Sequence, residues 1–353
     1  MTDLIDYGFT SHFVSQINKP GLIPARITAV HRERYEIVCE HGTSHARLKS
    51  AVYYATGAEP FPTAGDFVLI QYNDSGDSLI EKTLERKTFF SRRDPTPGRG
   101  EQAVAANFDF VFIMQSLNHD FNARRLERYV TLAWQSGAVP LIILTKADLV
   151  DEFDSQIREA ESAAPGVAVI PVSARNGSGL DVLGEYLKPR KTAVFLGSSG
   201  VGKSSLVNAL AGGDIMAVNE IREDDSRGRH TTTHRQLIML PDGVMIIDTP
   251  GMRELGMWDV GAGLGEAFSD VGEYIGKCRF SDCRHEAEPG CAVRSALESG
   301  ALSAERWQSY IRLKKEARYS DNRPAALREK QQWHKSIVKQ YRQTQKNNPK
   351  GGR

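Results

Sequence analysis

Short stretches in which apolar and polar residues partly alternate fill the first part of the chain, at residues 26–30, 35–39, 44–48, 66–71 and 79–84, each bounded by Gly, Asn, Asp or Pro. Period-two patterning between turn residues predicts strands, and five such strands suit a small β-barrel. An oligonucleotide-binding barrel and an SH3-like barrel both satisfy that count. Residues 91–102 are polar and rich in chain breakers, with Pro95, Pro97, Gly98 and Gly100, and read as a linker. Beyond them the period changes. Continuous apolar runs at 108–114, 139–144, 167–172 and 193–196 alternate with helical patterns at 124–134, 154–163 and 180–187. That alternation predicts a mainly parallel sheet covered on both faces. Two further strands, 236–240 and 244–247, meet at the turn Pro241-Asp242-Gly243. A helix over 305–318 would pack Trp307, Ile311 and Leu313, and more helix is expected over 325–341. The chain is therefore expected to be multidomain α/β: a barrel at 1–95, an α/β domain at 96–257 and a mainly helical domain at 258–353. No internal repeat or low-complexity tract interrupts it.

Composition is that of an ordinary soluble protein, with 40% hydrophobic and 25% charged residues in 353. Residues 1–18 lack a basic segment followed by a long apolar core, so neither a signal peptide nor a membrane anchor is expected, and the expected location is cytoplasmic. The formal net charge is only +1, yet residues 306–353 hold fourteen Lys or Arg against three Asp or Glu. A basic helix with a basic tail suits RNA phosphate. In the barrel, Arg26, Arg32, Arg34, Arg47, Tyr53 and Tyr54 offer phosphate and stacking contacts; a solvated surface is the plainer account of the same residues.

The strongest chemical signal is Gly197-Ser198-Ser199-Gly200-Val201-Gly202-Lys203-Ser204, which follows an apolar strand and opens a helix. In such a loop the backbone N–H groups cradle phosphates, Lys203 reaches the outer phosphates and the Ser204 hydroxyl ligates Mg2+. Alone it says only that a nucleotide is bound. Thr145-Lys146-Ala147-Asp148 comes earlier in the chain, directly after a strand, where Asp148 can take both N–H groups of a guanine and Lys146 can lie over the base. Ser173-Ala174 closes the next strand and brings the Ala174 N–H to the guanine oxygen. Together these loops favour guanine over adenine and disfavour an ATP-dependent phosphotransferase.

Asp248-Thr249-Pro250-Gly251 ends another apolar strand, where a carboxylate can hold Mg2+ through water and the Gly251 N–H can face a γ-phosphate. An acidic β-turn has the same composition. Between the two motifs lies Arg227-Gly228-Arg229-His230-Thr231-Thr232-Thr233-His234. Thr232, with Thr233 next, is the candidate first-switch hydroxyl for Mg2+. Met252 stands where a water-positioning Gln often follows this motif, and an apolar side chain cannot orient water. Hydrolysis is expected to be slow alone and to need His230, or a group supplied in trans, as the catalytic partner.

Cys278-x4-Cys283-x-His285-x5-Cys291 gathers three of the four cysteines within fourteen residues around one His. An odd cysteine cluster with an interleaved imidazole argues for metal over disulfides, and four protein ligands describe a closed, structural Zn2+ site. Cys39 reads as a small buried core residue.

The order Thr145-Lys-Ala-Asp148, Ser173-Ala174, Gly197 to Ser205, His230-Thr-Thr-Thr233, Asp248-Thr-Pro-Gly251, then Cys278, Cys283, His285 and Cys291, resembles the circularly permuted ribosome-assembly GTPases of the RsgA family over nearly the whole chain. The resemblance implies an N-terminal oligonucleotide-binding barrel, a central permuted GTPase domain and a C-terminal zinc domain. It implies GTP hydrolysis stimulated by the small ribosomal subunit during late maturation, with that subunit and its rRNA as partners, GTP/GDP, Mg2+ and one Zn2+ as ligands, no membrane, and a monomer as the default. A GTP-regulated RNA-binding module with incidental hydrolysis is the alternative. Thr145 departs from the usual Asn: it keeps a hydroxyl to brace the loop and loses the amide's second group, which weakens guanine binding modestly. Because the second switch runs directly into the zinc domain, that domain is expected to shift with nucleotide state.

Overall fold

The computed structural model describes residues 2–31, 34–55, 60–93, 101–118, 120–216, 235–248, 260–318 and 320. Five strands, β1 (Ile23–Val30), β2 (Tyr35–Cys39), β3 (Gly42–Leu48), β4 (Phe67–Gln71) and β5 (Ser78–Thr83), close in the order β1-β2-β3-β5-β4-β1, with β3 and β5 parallel. That closure is the oligonucleotide-binding topology and decides between the two barrels. Alternate side chains fill the interior, among them Ala25 and Ile27, Ile37 and Cys39, Val68 and Ile70, as the two-residue strand period requires. The opposite face of β4 presents Phe67 and Leu69 to Phe13 of the short helix α1 (Ser11–Val14).

Two of the proposed RNA-contacting residues are inside. Tyr53 is 1% exposed and its hydroxyl meets Thr83 Oγ1 at 2.9 Å. Arg26 is also 1% exposed, because its guanidinium reaches the Asn107 carbonyl and the Thr192 hydroxyl of the next domain. Arg34 and Arg47 remain at the surface and share the Asp77 carboxylate. Arg32 and the Tyr54 side chain lie outside the described residues.

The expected linker contains strand. Flanking residues 94–100, β6 (Phe89–Arg93) and β7 (Glu101–Ala106) form an antiparallel hairpin, because Phe90, Val104 and Ala105 are apolar enough to join the main core.

The α/β domain carries β8 (Phe110–Ser116), β9 (Val139–Thr145), β10 (Ala168–Pro171), β11 (Thr192–Gly197), β12 (Arg235–Met239) and β13 (Met245–Asp248), in the order β10-β9-β8-β11-β13-β12. All pairs are parallel except β12 with β13. Alternation again sorts the side chains: Val111, Ile113, Val194 and Leu196 enter one core, and Phe112, Met114, Ala193 and Phe195 the other. Helices α2 (Ala123–Gln135) and α3 (Asp154–Ala163) supply buried residues to the first layer, α4 (Leu180–Tyr186) and α5 (Lys203–Ala211) to the second. The chain leaves β8 toward β9 on one side, while β11 lies on the other. The carboxyl ends of β8 and β11 thus flank a topological switch point, where open α/β sheets bind ligands.

The barrel continues this sheet. β1 pairs with β12 through Ala29 with Gln236 and Val30 with Arg235, so eleven strands form one hydrogen-bonded surface. Arg26 reinforces the junction by donating to Asn107 O at 2.9 Å, Thr192 Oγ1 at 3.1 Å and Gly65 O at 3.3 Å.

The C-terminal part comprises α6 (Gly261–Ala267), α7 (Ser269–Gly272), α8 (Ala292–Ser299) and α9 (residues 304–318). Gly263 lets α6 approach α2 closely, since a Cβ there would lie 2.2 Å from Thr131 O. Arg306, from α9, is buried among α2, α3, α6 and α7: it reaches Glu127 at 3.2 Å, Ala163 O at 2.8 Å, Ala267 O at 2.5 Å and both Asp270 oxygens at 3.0 Å. Among the described residues no helix is long and apolar enough to cross a membrane. The expected helix at 325–341 and the basic tail lie outside the described residues.

Candidate functional site

The loops that follow β9 and β11 converge with the end of β13 at Asp248. β11 ends at Gly197 and α5 starts at Lys203, so the intervening turn directs the first N–H groups of α5 toward the switch point. Gly202 has φ of +102°, a conformation closed to residues with a Cβ, and this reverses the chain into the helix.

The phosphate loop is tied to the guanine-type loop by one side chain. Thr145 Oγ1 donates to Val201 O at 2.6 Å and lies 3.3 Å from Gln115 O. The hydroxyl that Thr keeps therefore spans the two loops, at a residue only 4% exposed. Lys146 takes the left-handed conformation, φ +60°, which lifts its side chain out of the strand direction, and the Ala147 N–H returns to Val172 O at 3.1 Å.

Asp148 is aimed by Ser173. The Ser173 hydroxyl donates to Asp148 Oδ1 at 2.7 Å and accepts from the N–H groups of Arg175 and Asn176 at 3.2 and 3.3 Å. With both roles of the hydroxyl committed and Ser173 fully buried, the carboxylate is held in place before any base arrives. Ala174 follows in the same turn.

Lys203 and Asp248 form an ion pair between the first turn of α5 and the end of β13. Asp248 is 1% exposed, and the ammonium supplies the counter-charge a buried carboxylate needs. A polyphosphate would compete for that lysine. Ser198, Ser199, Gly200, Ser204 and Ser205 lie in the same turn and helix start. Gly251, Met252, His230, Thr232 and Thr233 lie outside the described residues.

Gln115 was not apparent from the sequence. Fully buried at the end of β8, it bridges the backbone of Asn122, donating to its carbonyl at 3.1 Å and accepting its N–H at 2.6 Å. Asn122 in turn caps α2 by accepting from Arg125 N at 3.0 Å. An amide ending the otherwise apolar run Phe110 to Met114 was the available signal.

A second centre lies in the C-terminal domain. The ligand atoms of Cys278, Cys283, His285 and Cys291 all fall within 4.8 Å of one another. His285 Nδ1 is 3.4 Å from Cys278 Sγ and 3.5 Å from Cys291 Sγ. Cys291 caps α8, its sulfur accepting from Arg294 N at 3.5 Å. Desolvation raises the Cys278 thiol, but the N–H groups of Ala292 and Val293 and the Cys283 and Cys291 sulfurs outweigh it and leave that thiol below its ordinary range. Desolvation pushes Cys283 up to about 11, with the neighbouring sulfurs adding to it. Three crowded sulfurs cannot all ionise without a cation among them, and a donor set of three cysteines and one histidine, with all four ligand atoms within 4.8 Å of one another, fits Zn2+.

A family model described as RsgA GTPase matches residues 83–258. The small ribosomal subunit biogenesis GTPase RsgA 1 of Listeria innocua is 47% identical over 346 residues, spanning 98% of each chain. The RsgA of Streptomyces coelicolor is 43% identical over 302 residues, 84% of this chain and 81% of that one. Among solved structures, YjeQ from Thermotoga maritima superposes with a TM-score of 0.62 at 27% identity, covering 83% of this chain and 97% of that one. YloQ, described as a circularly permuted GTPase, shares the fold with a TM-score of 0.58 at 22% identity, covering 86% and 98%.

Proposed function

Since this chain belongs to the RsgA family of GTPases, we propose that it hydrolyses GTP as an assembly factor for the small ribosomal subunit in the cytoplasm, with the subunit and its rRNA as partners. The observation that carries this reading is the Thr145 Oγ1 to Val201 O hydrogen bond. It joins a guanine-type loop and a phosphate loop that occur in reversed chain order, and so supports one guanine nucleotide spanning both.

In this reading Asp148, aimed by Ser173, pairs with the guanine N–H groups, Lys146 covers the base and the Ala174 N–H meets the guanine oxygen. The N–H groups from Gly197 to Ser205 receive the phosphates. Lys203 would turn from Asp248 to the outer phosphates, and the Asp248 carboxylate, released from the pair, would help hold Mg2+ through water. Ser204 and Thr232 would hold Mg2+, whose charge offsets that of the β- and γ-phosphates. Gly251 contributes an N–H toward the γ-phosphate. Met252 leaves the attacking water without a partner from its own position, so His230 or a group of the subunit orients it. The four ligands Cys278, Cys283, His285 and Cys291 hold one structural Zn2+, and the domains divide near residues 95 and 257.

The test is GTP turnover by the purified chain with and without purified small subunits. Slow turnover alone and strong stimulation by the subunit are expected; equal rates would remove the proposed role while leaving the nucleotide site in place.

A further inference from the structure

The metal cluster is built on a stretch without regular secondary structure between Cys283 and Cys291, so something other than a helix or ladder must shape it. Its N–H groups turn onto one side chain. Glu288 Oε1 accepts from Arg284 N at 2.9 Å, while Oε2 accepts from Glu286 N at 2.9 Å and Ala287 N at 3.1 Å. The N–H of His285, within this run, is directed to the Cys283 sulfur. All four N–H groups from 284 to 287 are thus engaged, three by a single carboxylate. A ring of backbone donors around an anion is a nest, here closed by a side chain of the same loop.

The enclosed residue is the histidine ligand. His285 has φ of +66°, a left-handed conformation that a residue with a Cβ adopts only when its surroundings impose it. Its ring lies edge-on to Trp307, with centroids 5.6 Å apart. Trp307 limits the ring from one side, whereas the Glu288 hydrogen bonds set the backbone from which the ring projects.

We propose that Glu288 is the positioning residue of the metal loop: by gathering the N–H groups of Arg284, Glu286 and Ala287, its carboxylate holds His285 in the left-handed conformation that faces Nδ1 toward the Cys278 and Cys291 sulfurs. It touches no ligand atom and acts only through the backbone. Ligand orientation from outside the coordination sphere commonly governs metal affinity by about 10–100-fold. The same hydrogen bonds, Arg284 N–H first, hold the carboxyl down to about 2, so the acceptor persists throughout the pH range in which thiols and imidazole bind metal.

The proposal rests on the reading of the four ligands as a zinc site. Its test uses the zinc-loaded full chain, with zinc transfer to a colorimetric chelator and the absorption of the Co2+-substituted protein as readouts. Glu288→Ala is expected to release zinc about 10–100-fold faster than wild type and to alter the Co2+ spectrum. Glu288→Gln, keeping one carbonyl acceptor, should fall between them, and the neighbouring Glu286→Gln should match wild type. GDP binding should be unchanged throughout. Wild-type release and an unaltered spectrum in Glu288→Ala would overturn the proposal. Should that variant not fold, the melting of Glu288→Gln decides: recovery of the wild-type midpoint in excess zinc supports the assignment, and a midpoint indifferent to zinc overturns it. A wild-type chain that takes up neither metal would overturn the zinc reading and this inference with it, a result distinct from intact binding that ignores Glu288.

Discussion

The barrel and the zinc-site domain are each joined to the GTPase domain through a buried arginine, and the two arginines are held by different chemistry. Arg26 meets carbonyls, a hydroxyl and a thioether, with its guanidinium 4.9 Å from the Phe67 ring centroid. Burial lowers it to about 10, although Asp109 and Asp66 act from further away to raise it. Arg306 is clasped by the carboxylates of Glu127 and Asp270 and lies 4.0 Å from the Phe268 ring centroid. Among the described residues, only the barrel also has a strand ladder, β1 with β12. The barrel junction is thus mainly backbone and neutral acceptors, and the other junction mainly charge and side-chain packing. What each loses on substitution should differ accordingly.

The largest effect is expected for Arg306→Met. Glu127, its side chain 7% exposed, would keep Arg312 at 3.8 Å as a counter-charge beside the Ser309 hydroxyl, and a buried charge deprived of its partner costs about 3–5 kcal/mol. Denaturant unfolding at pH 8 measures it; a loss below 1 kcal/mol, within the range of exposed pairs, would break the contrast. Arg26→Met should cost less, about 1–3 kcal/mol, because carbonyls lose a donor while no carboxylate is stranded and the ladder persists. A loss equal to that of Arg306→Met would show that the neutral junction is no cheaper to disrupt.

The smallest effect is a pH dependence confined to the charged junction. Burial raises the Glu127 carboxyl, with Ser309 and Arg306 opposing it. The folded chain then binds this proton more tightly than the unfolded chain. Its contribution is complete below the unfolded value of about 4.5 and is lost as pH climbs through the raised folded value. Melting curves of Glu127→Gln should lack that part of the decline, and Arg26→Met should retain it. Identical pH profiles for wild type and Glu127→Gln would remove the titration from the account.

The motif order led to the expectation that the zinc domain shifts with nucleotide. The α6–α2 approach at Gly263 and the Arg306 cluster are the contacts such a shift has to break, at a junction richer in charge than the barrel's. Arg306→Met therefore doubles as a probe of that motion.

Local chemistry was the legible part. The phosphate loop, the guanine loop and the cysteine spacing each carry their meaning within a few residues, and strand–helix alternation follows from periods of two and 3.6. What escaped were partners distant in the chain. Arg26 reads as one more surface cation until Thr192 and Asn107 are beside it, and Arg306 blends into the basic C-terminal region until Glu127 is. Residues 91–102 look like a linker because their breakers outnumber the apolar residues, which lie mostly just outside, at Phe89, Phe90, Val104 and Ala105. Glu288 had a local signal, an acid three residues from a metal-ligand His, but its role depends on backbone direction, which spacing does not convey.

The β1–β12 ladder also bears on how the molecule is made. Its partners lie roughly 200 residues apart in the chain, and contacts of such separation form late. During synthesis the barrel can close on its own strands long before β12 leaves the ribosome, leaving β1 with an unpaired margin that other chains could recruit. Completion of the nucleotide domain shields that margin. A nascent chain stalled before residue 235 would thus carry that margin uncovered, and the joint that unites two domains is also the step that covers it.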